Sequence, residues 1–225
     1  MPLILNIDTA TDTASVCISK EGVALSYREN LLQKEHASFV HKAIKEVLAE
    51  AGKDLKEVDA YAVTSGPGSY TGLRVGLATA KGFCYAMRKP LITVNTLEVM
   101  LQAALTDYPS PAPDMLYCPM IDARRSEVYT ALYNGRAEEL IQPVAMVLHE
   151  NSFDNWLAQQ SILFFGSGSE KTRKIIFHAN AVFAGVEHSA KHLGVLSHQE
   201  FVNQAFADLA YAEPEYLKDF YSGLK

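Results

Sequence analysis

Apolar and polar positions are laid out along the first hundred residues in blocks of element length. Leu3 to Ile7 is an apolar run of strand length, closed by the polar, turn-prone stretch Asp8-Thr9-Ala10-Thr11-Asp12-Thr13. Ala14 to Ser19 alternates as a strand does, Lys20-Glu21-Gly22 turns the chain, and Val23 to Arg28 reads as a third strand, so a β-meander opens the protein. Val40, Ala43/Ile44, Val47/Leu48 and Ala51 then recur at helical spacing, which predicts an amphipathic helix over Glu35 to Ala51. Ala60 to Thr64 is a short buried strand and Leu73 to Met87 a helix, with a glycine-rich stretch between them. Leu91 to Val94 is a strand, and Thr96 to Leu105 a helix entered and capped through Thr93-Val94-Asn95-Thr96.

The pattern restarts after Asp107 to Asp114, where three prolines in eight residues mark a linker. Met115 to Ile121 is a strand, Asp122-Ala123-Arg124-Arg125 a turn, Glu127 to Tyr133 a strand, and Leu140 to Val147 continues the sheet. Ser161 to Phe165 is a further strand, followed by Gly166-Ser167-Gly168-Ser169 and a helix over Glu170 to Phe177. Glu200 to Tyr211 reads as a last helix and Glu213 to Lys218 as an extended tail. Two lobes are expected, 1–107 and 108–225, with room for the C-terminal helix to pack back on the first. Each half opens on a strand that ends in an aspartate, Asp8 or Asp122, which suggests a duplicated topology without alignable identity.

Composition narrows the class. The 225 residues are 48% hydrophobic and 20% charged, as in ordinary globular proteins, with net charge −6. A protein that bound tRNA or DNA by itself would show a basic balance, so contact with nucleic acid is expected only inside a complex. Cys17, Cys84 and Cys118 are odd in number, widely spaced and set in apolar surroundings, and read as buried hydrophobes of a reducing compartment. The N-terminus lacks a basic leader, and no stretch approaches membrane-spanning length; a cytoplasmic protein is expected.

The densest candidate chemistry is Ser65-Gly66-Pro67-Gly68-Ser69-Tyr70-Thr71-Gly72-Leu73-Arg74-Val75-Gly76, which holds four of the 13 glycines. A strand, a glycine turn and a helix N-terminus can aim several N–H groups at an anion; the same arrangement also serves as a tight connection. Neither standard phosphate motif fits. Five residues separate Gly66 from Gly72 and Leu73 stands at the lysine position of a P-loop, while Gly66 and Gly68 are followed by Thr71 rather than glycine. Asp8 is either a strand-end turn residue or a carboxylate that orders a metal-bound water or phosphate. Gly166 and Gly168 form a second, weaker strand-to-helix turn, made mildly basic by Lys171, Arg173 and Lys174. His36 and His41 are five apart, which turns their rings about 140° from each other and argues against a helical metal site. No standard hydrolase, zinc, redox or kinase motif occurs. The helix after the loop is rich in small residues (Gly76, Ala78, Ala80, Gly82, Ala86), which permits close approach of core or partner.

Together, Asn6 to Thr11, Glu35-His36, the Ser65 to Gly76 run, Asp122-Ala123-Arg124-Arg125-Ser126-Glu127-Val128-Tyr129 and Pro214-Glu215-Tyr216-Leu217-Lys218 resemble the TsaB (YeaZ) family, over essentially the whole chain. The Gly-Pro-Gly-Ser-Tyr-Thr-Gly-Leu-Arg-Val-Gly run is specific to that family and its TsaD paralogue. Ser126 departs from a frequent glycine. The resemblance implies an α/β ASKHA (actin/Hsp70/sugar-kinase-like) fold, two RNase H-like lobes with mixed sheets flanked by helices. It implies a non-catalytic subunit that pairs with TsaD, joined by TsaE, in threonylcarbamoyl transfer to adenosine 37 of tRNA. TsaD-like proteins carry a helical His-x-x-x-His metal site; here His36 is followed by Val40, so no metal ligand set is assigned. The chain itself is expected to require no cofactor, with ATP or ADP placed at the subunit interface if anywhere. A homodimer is expected when TsaD is missing, with tRNA bound only within the complex and no membrane contact. Candidate nucleotide or anion contacts are Asp8, Thr9, Gly66, Gly68, Ser69, Thr71, Gly72, Gly166 and Gly168. Candidate partner contacts are His36, Val40, Tyr70, Leu73, Arg74, Gly76, Leu77, Ala80, Phe83 and Cys84. The alternatives are an ATP-dependent phosphotransferase or ATPase of the same fold and, further off, a glycoprotease-like metallopeptidase.

Overall fold

The computed structural model describes residues 1–31, 36–107 and 114–218. The chain divides into two compact units: Met1–Pro109 with Val186–Pro214, and Ser110–Gly185 with Glu215–Lys225. Glu35 and most of the proline-rich linker lie outside the described residues.

In the first unit, β1 (Leu3–Asp8), β2 (Ala14–Lys20) and β3 (Val23–Asn30) form the meander, and β4 (Ala60–Gly66) and β5 (Leu91–Asn95) extend it into a five-stranded sheet of order β3-β2-β1-β4-β5. β1 runs antiparallel to β2 and parallel to β4. Every residue of β1 is buried, because both faces of the sheet are covered. Leu3, Leu5 and Ile7 share a core with α1 (His36–Glu50) and α2 (Tyr70–Met87). Ile4 packs with Leu193 of α6 (Ala190–Val202) and with Val99 of α3 (Thr96–Asp107) on the opposite face.

The second unit repeats this topology. β6 (Leu116–Asp122), β7 (Glu127–Tyr133) and β8 (Glu139–Val147) form a meander, followed by a short α4 (Asp154–Leu157). β9 (Ile162–Phe165), α5 (Ser169–Arg173) and β10 (Ala181–Ala184) complete a sheet of order β8-β7-β6-β9-β10. β6 is antiparallel to β7 and parallel to β9, as β1 is to β2 and β4. The duplication expected from Asp8 and Asp122 is therefore present as topology. The mixed sheets flanked by helices are the α/β ASKHA architecture.

Two expectations are corrected. The last helix is not Glu200 to Tyr211 but Ala190–Val202, and residues 203–218 form no helix. The buried face of α6 mixes Leu193 with Ala190, His192, Gly194 and Ser197, so small and polar residues interrupt its apolar period. Ser197 Oγ donates to Asn6 Oδ1 at 2.6 Å, and a Cβ on Gly194 would stand 3.2 Å from Ser19. The apolar residues beyond it belong to an extended strap: Ala207 bridges to Leu91 at the edge of β5, and Ala207, Leu209 and Ala212 pack on the first core. That bridge covers an otherwise open sheet edge. Second, α5 stops at Arg173 rather than Phe177; β10, four half-buried residues, carries too short a pattern to be read from the sequence.

Candidate functional site

The parallel pairing of β1 with β4 brings their C-terminal ends together, and this assembles the first site. Asp8 ends β1, and its carboxylate is 2% exposed. Its Oδ1 accepts from the amide of Ala10 at 3.2 Å and from the Thr64 hydroxyl at 3.0 Å. On the other side, His188 Nε2 lies 3.4 Å from Oδ2, close enough for ion pairing but without hydrogen-bond geometry. His188 comes from the segment that enters α6, so sequence spacing gave no hint of it. Both carboxylate oxygens thus face groups of the same chain.

The glycine loop continues this arrangement. Gly66 has φ 125°, an angle that favours glycine, and is joined to Pro67 by a cis peptide bond. Ser69 caps α2, its Oγ accepting from the Gly72 amide. The Ser69 amide donates to the Ala10 carbonyl at 2.7 Å, and Thr9 Oγ1 donates to the Gly72 carbonyl at 2.7 Å. Cβ atoms on Gly68 and Gly72 would overlap the carbonyls of Ala10 and Thr9, and one on Gly76 would overlap the Thr9 hydroxyl. The glycines of this run therefore admit the β1–β2 turn. Asp8, Thr9, Gly66, Gly68, Ser69 and Gly72 are brought together; within the group the Ser69 and Gly72 amides and the Thr9 hydroxyl already donate, and the carbonyls of Ala10 and Thr9 fill the space beside Gly68 and Gly72; Thr71 is exposed on the first turn of α2.

Gly166 and Gly168 belong to the second unit, where they play the corresponding part against β6. Gly166 has φ 89°. The Gly168 amide donates to the Met120 carbonyl at 3.0 Å, and a Cβ there would press on Val128 and Met120. Asp122 sits at the strand end: its amide donates to Ser167 Oγ at 3.1 Å, and its carboxylate meets Lys171 Nζ at 2.6 Å. Partial burial pushes the Asp122 carboxyl up; the bonds from Lys171 and the Arg124 amide outweigh this and hold it below the usual carboxylate range.

The expected partner face needs the larger correction. His36, Val40, Leu73, Gly76, Leu77, Ala80 and Cys84 are buried in the first unit's own core. His36 Nε2 lies 2.9 Å from the Thr11 carbonyl and so donates to it, which ties α1 to the β1–β2 turn. Phe83 is half-buried and stacked on Tyr61 with ring centroids 5.4 Å apart. Tyr70 and Arg74 are exposed and paired, the guanidinium 4.0 Å from the ring centroid. The outer face of α2 continues through Ala78, Gly82, Tyr85 and Ala86. Tyr85 is 81% exposed, and a Cβ on Gly82 would meet nothing within 4 Å. The signal for this face was the helical phase: 74, 78 and 82 recur at i, i+4 opposite the core row 73, 77, 80 and 84.

The thiols match the sequence reading. Cys17, Cys84 and Cys118 are buried and free, and burial pushes each up to about 12. Among the described residues no group of three or more His, Cys, Asp or Glu could hold a metal ion, and no helix is long and apolar enough to cross a membrane.

The model of the family TsaD, tRNA N6-adenosine threonylcarbamoyltransferase, matches residues 30–221. The chain belongs to the TsaD family, in its TsaB (YeaZ) branch. It is 37% identical over 130 residues to the tRNA threonylcarbamoyladenosine biosynthesis protein TsaB of Escherichia coli, which covers 58% of this chain and 54% of that protein. It is 27% identical to TsaB of Bacillus subtilis over 96% of this chain and 93% of that one. The matched stretches thus span about half the length of the E. coli and Haemophilus influenzae relatives, and nearly all of the B. subtilis one. YeaZ from Pseudomonas aeruginosa superposes with TM-score 0.81 at 25% identity, over 96% of this chain and all of that one. An inorganic polyphosphate/ATP-glucomannokinase from Arthrobacter superposes with TM-score 0.50 at 11% identity and shares the fold alone.

Proposed function

We propose that this chain is a non-catalytic subunit that pairs with a TsaD-class transferase, joined by TsaE, and activates threonylcarbamoyl transfer to adenosine 37 of tRNA. The observation that carries this reading is the closure of the inherited pocket. Asp8 faces Ala10, Thr64 and His188, and the glycine loop is filled by the carbonyls of Thr9 and Ala10. A site in which Asp8 Oδ1 and the Ser69 and Gly72 amides are engaged internally, and in which backbone carbonyls fill the space beside Gly68 and Gly72, offers little to a metal–phosphate group, whereas the fold around it is intact. The chain then contributes surface rather than chemistry. The exposed row Tyr70, Arg74, Ala78, Gly82 and Tyr85 of α2 is the face offered to the transferase, with small residues that let a partner helix approach closely. Without the transferase the same face closes a homodimer. ATP or ADP, where the reaction needs it, is held at the subunit interface, and the complex works in the cytoplasm.

The test is reconstitution. Mixed with its cognate transferase, the purified chain should co-elute on size exclusion, and tRNA should be modified only when both are present. The isolated chain should not turn over Mg-ATP. Failure of two folded proteins to associate would sink the reading, as would turnover by the chain alone that disappears in Asp8→Asn.

A further inference from the structure

We infer that the second unit carries an RNA-binding surface built from the β6–β7 hairpin, α5 and the residues just after it. The chain as a whole has net charge −6, yet this region is cationic. Arg124, Arg125, Lys171, Arg173, Lys174 and Lys218 stand against Asp122, Glu127 and Glu170. Each carboxylate faces a cation of the same cluster: Asp122 meets Lys171 at 2.6 Å, Glu127 meets Lys218, and Glu170 lies 3.9 Å from Arg173. By formal charge these six cations exceed the three carboxylates by three, and by two when Glu215 of the same tail is counted.

One ammonium makes the parts a single surface. Lys171 of α5 reaches across to Asp122 and also donates to the carbonyls of Arg125 at 2.7 Å and Glu127 at 3.2 Å. It thereby locks the helix to the hairpin whose tip is Arg124-Arg125. Both arginines are exposed and left-handed, with φ 67° and 51°. Left-handed backbone carries a steric cost for any residue with a Cβ, and both arginines adopt it. What they gain is two guanidinium groups projected from a rigid turn, suited to phosphate oxygens.

A second feature separates nucleic acid from an acidic protein. Phe177, three residues beyond the exposed Lys174, is 86% exposed. An exposed aromatic ring three residues from a lysine in the chain is the combination that binds single-stranded bases without sequence reading. The surface fits an RNA with unpaired bases; only its identity as tRNA rests on the proposed function.

The test uses the isolated full chain and an unmodified tRNA transcript at low salt, followed by fluorescence anisotropy. Arg124→Glu/Arg125→Glu/Lys174→Glu should weaken binding at least tenfold and flatten the dependence of log K on log salt by about 2 to 3. Lys20→Glu/Lys45→Glu/Lys56→Glu changes the net charge equally and should bind within about twofold of wild type, which separates a local surface from a bulk-charge effect. Phe177→Ala should weaken binding several-fold with the salt dependence unchanged. Circular dichroism checks folding, with Arg124→Gln/Arg125→Gln as the milder substitute. Absence of binding by the wild-type chain, or equal losses in the two triple variants, overturns the inference. With the transferase added, the hairpin variant should still assemble but lose tRNA affinity. Lost assembly with tRNA affinity retained would reassign the surface to a protein partner. A chain that binds tRNA through this surface yet never pairs with the transferase would overturn the proposed role alone.

Discussion

The Thr9 hydroxyl donates to the Gly72 carbonyl at 2.7 Å, and the Thr9 carbonyl occupies the space that a Cβ on residue 72 would need. The glycine at this position is therefore a requirement of backbone approach between β1 and α2. The same helix provides its own control in Gly82, whose missing Cβ borders open space. Gly72→Ala should destabilise the protein by about 2 to 3 kcal/mol through overpacking against a carbonyl that cannot yield. Gly82→Ala should stabilise it by up to about 1 kcal/mol, as expected for an exposed helical site. Urea denaturation of the two variants measures both, and equal effects would contradict the assignment.

The two rows of α2 should separate stability from assembly. Ala80 is fully buried, so Ala80→Leu should cost about 1 to 3 kcal/mol in the isolated chain. Gly82→Leu should leave the thermal midpoint near the wild-type value and abolish co-elution with the transferase. If Gly82→Leu assembles normally, the partner face lies elsewhere.

His192 ties stability to pH. Its Nδ1 accepts from the Ser189 amide at 3.1 Å, so the neutral ring carries its proton on Nε2, 3.1 Å from Asp107. Burial lowers its pKa below the ordinary histidine value, and Asp107 only partly opposes this. The unfolded chain therefore binds the proton more readily than the folded one. The stabilisation is complete above the ordinary histidine value and is lost as pH falls below it through the lowered folded value. Urea midpoints should rise between about pH 5 and 7, and His192→Gln should reduce that slope.

The cysteines should be silent in the native state. All three thiols are buried and held near pKa 12. A disulfide reagent at pH 8 should label none of them within minutes and all three in urea. Rapid labelling of a native thiol would show that the core opens locally at that position.

Much of this architecture was legible along the chain. The β1 run, the α1 periodicity and the strand–glycine–helix sequence of β4 and α2 are local patterns, and local patterns survive in one dimension. The aspartate endings of β1 and β6 were also legible, and with them the duplicated topology. α6 was not, because His192, Gly194 and Ser197 share its buried face with Leu193 and interrupt the apolar period. Its apparent successor at 200–211 had a helical pattern because the strap packs Ala207, Leu209 and Ala212 against the core.

The sequence by itself determined the family signature, the strand meander that opens each unit, and which loops carry glycine. Tertiary structure alone decided what the glycines are for. Whether a glycine admits a ligand or another strand of the same chain depends on what lies within a few ångströms, and the neighbour of Gly72 is Thr9, far away in sequence. The same holds for Asp8, whose Oδ2 is faced at 3.4 Å by His188 from the segment entering α6. It holds also for α2, where helical phase names two faces and only burial shows which one points out.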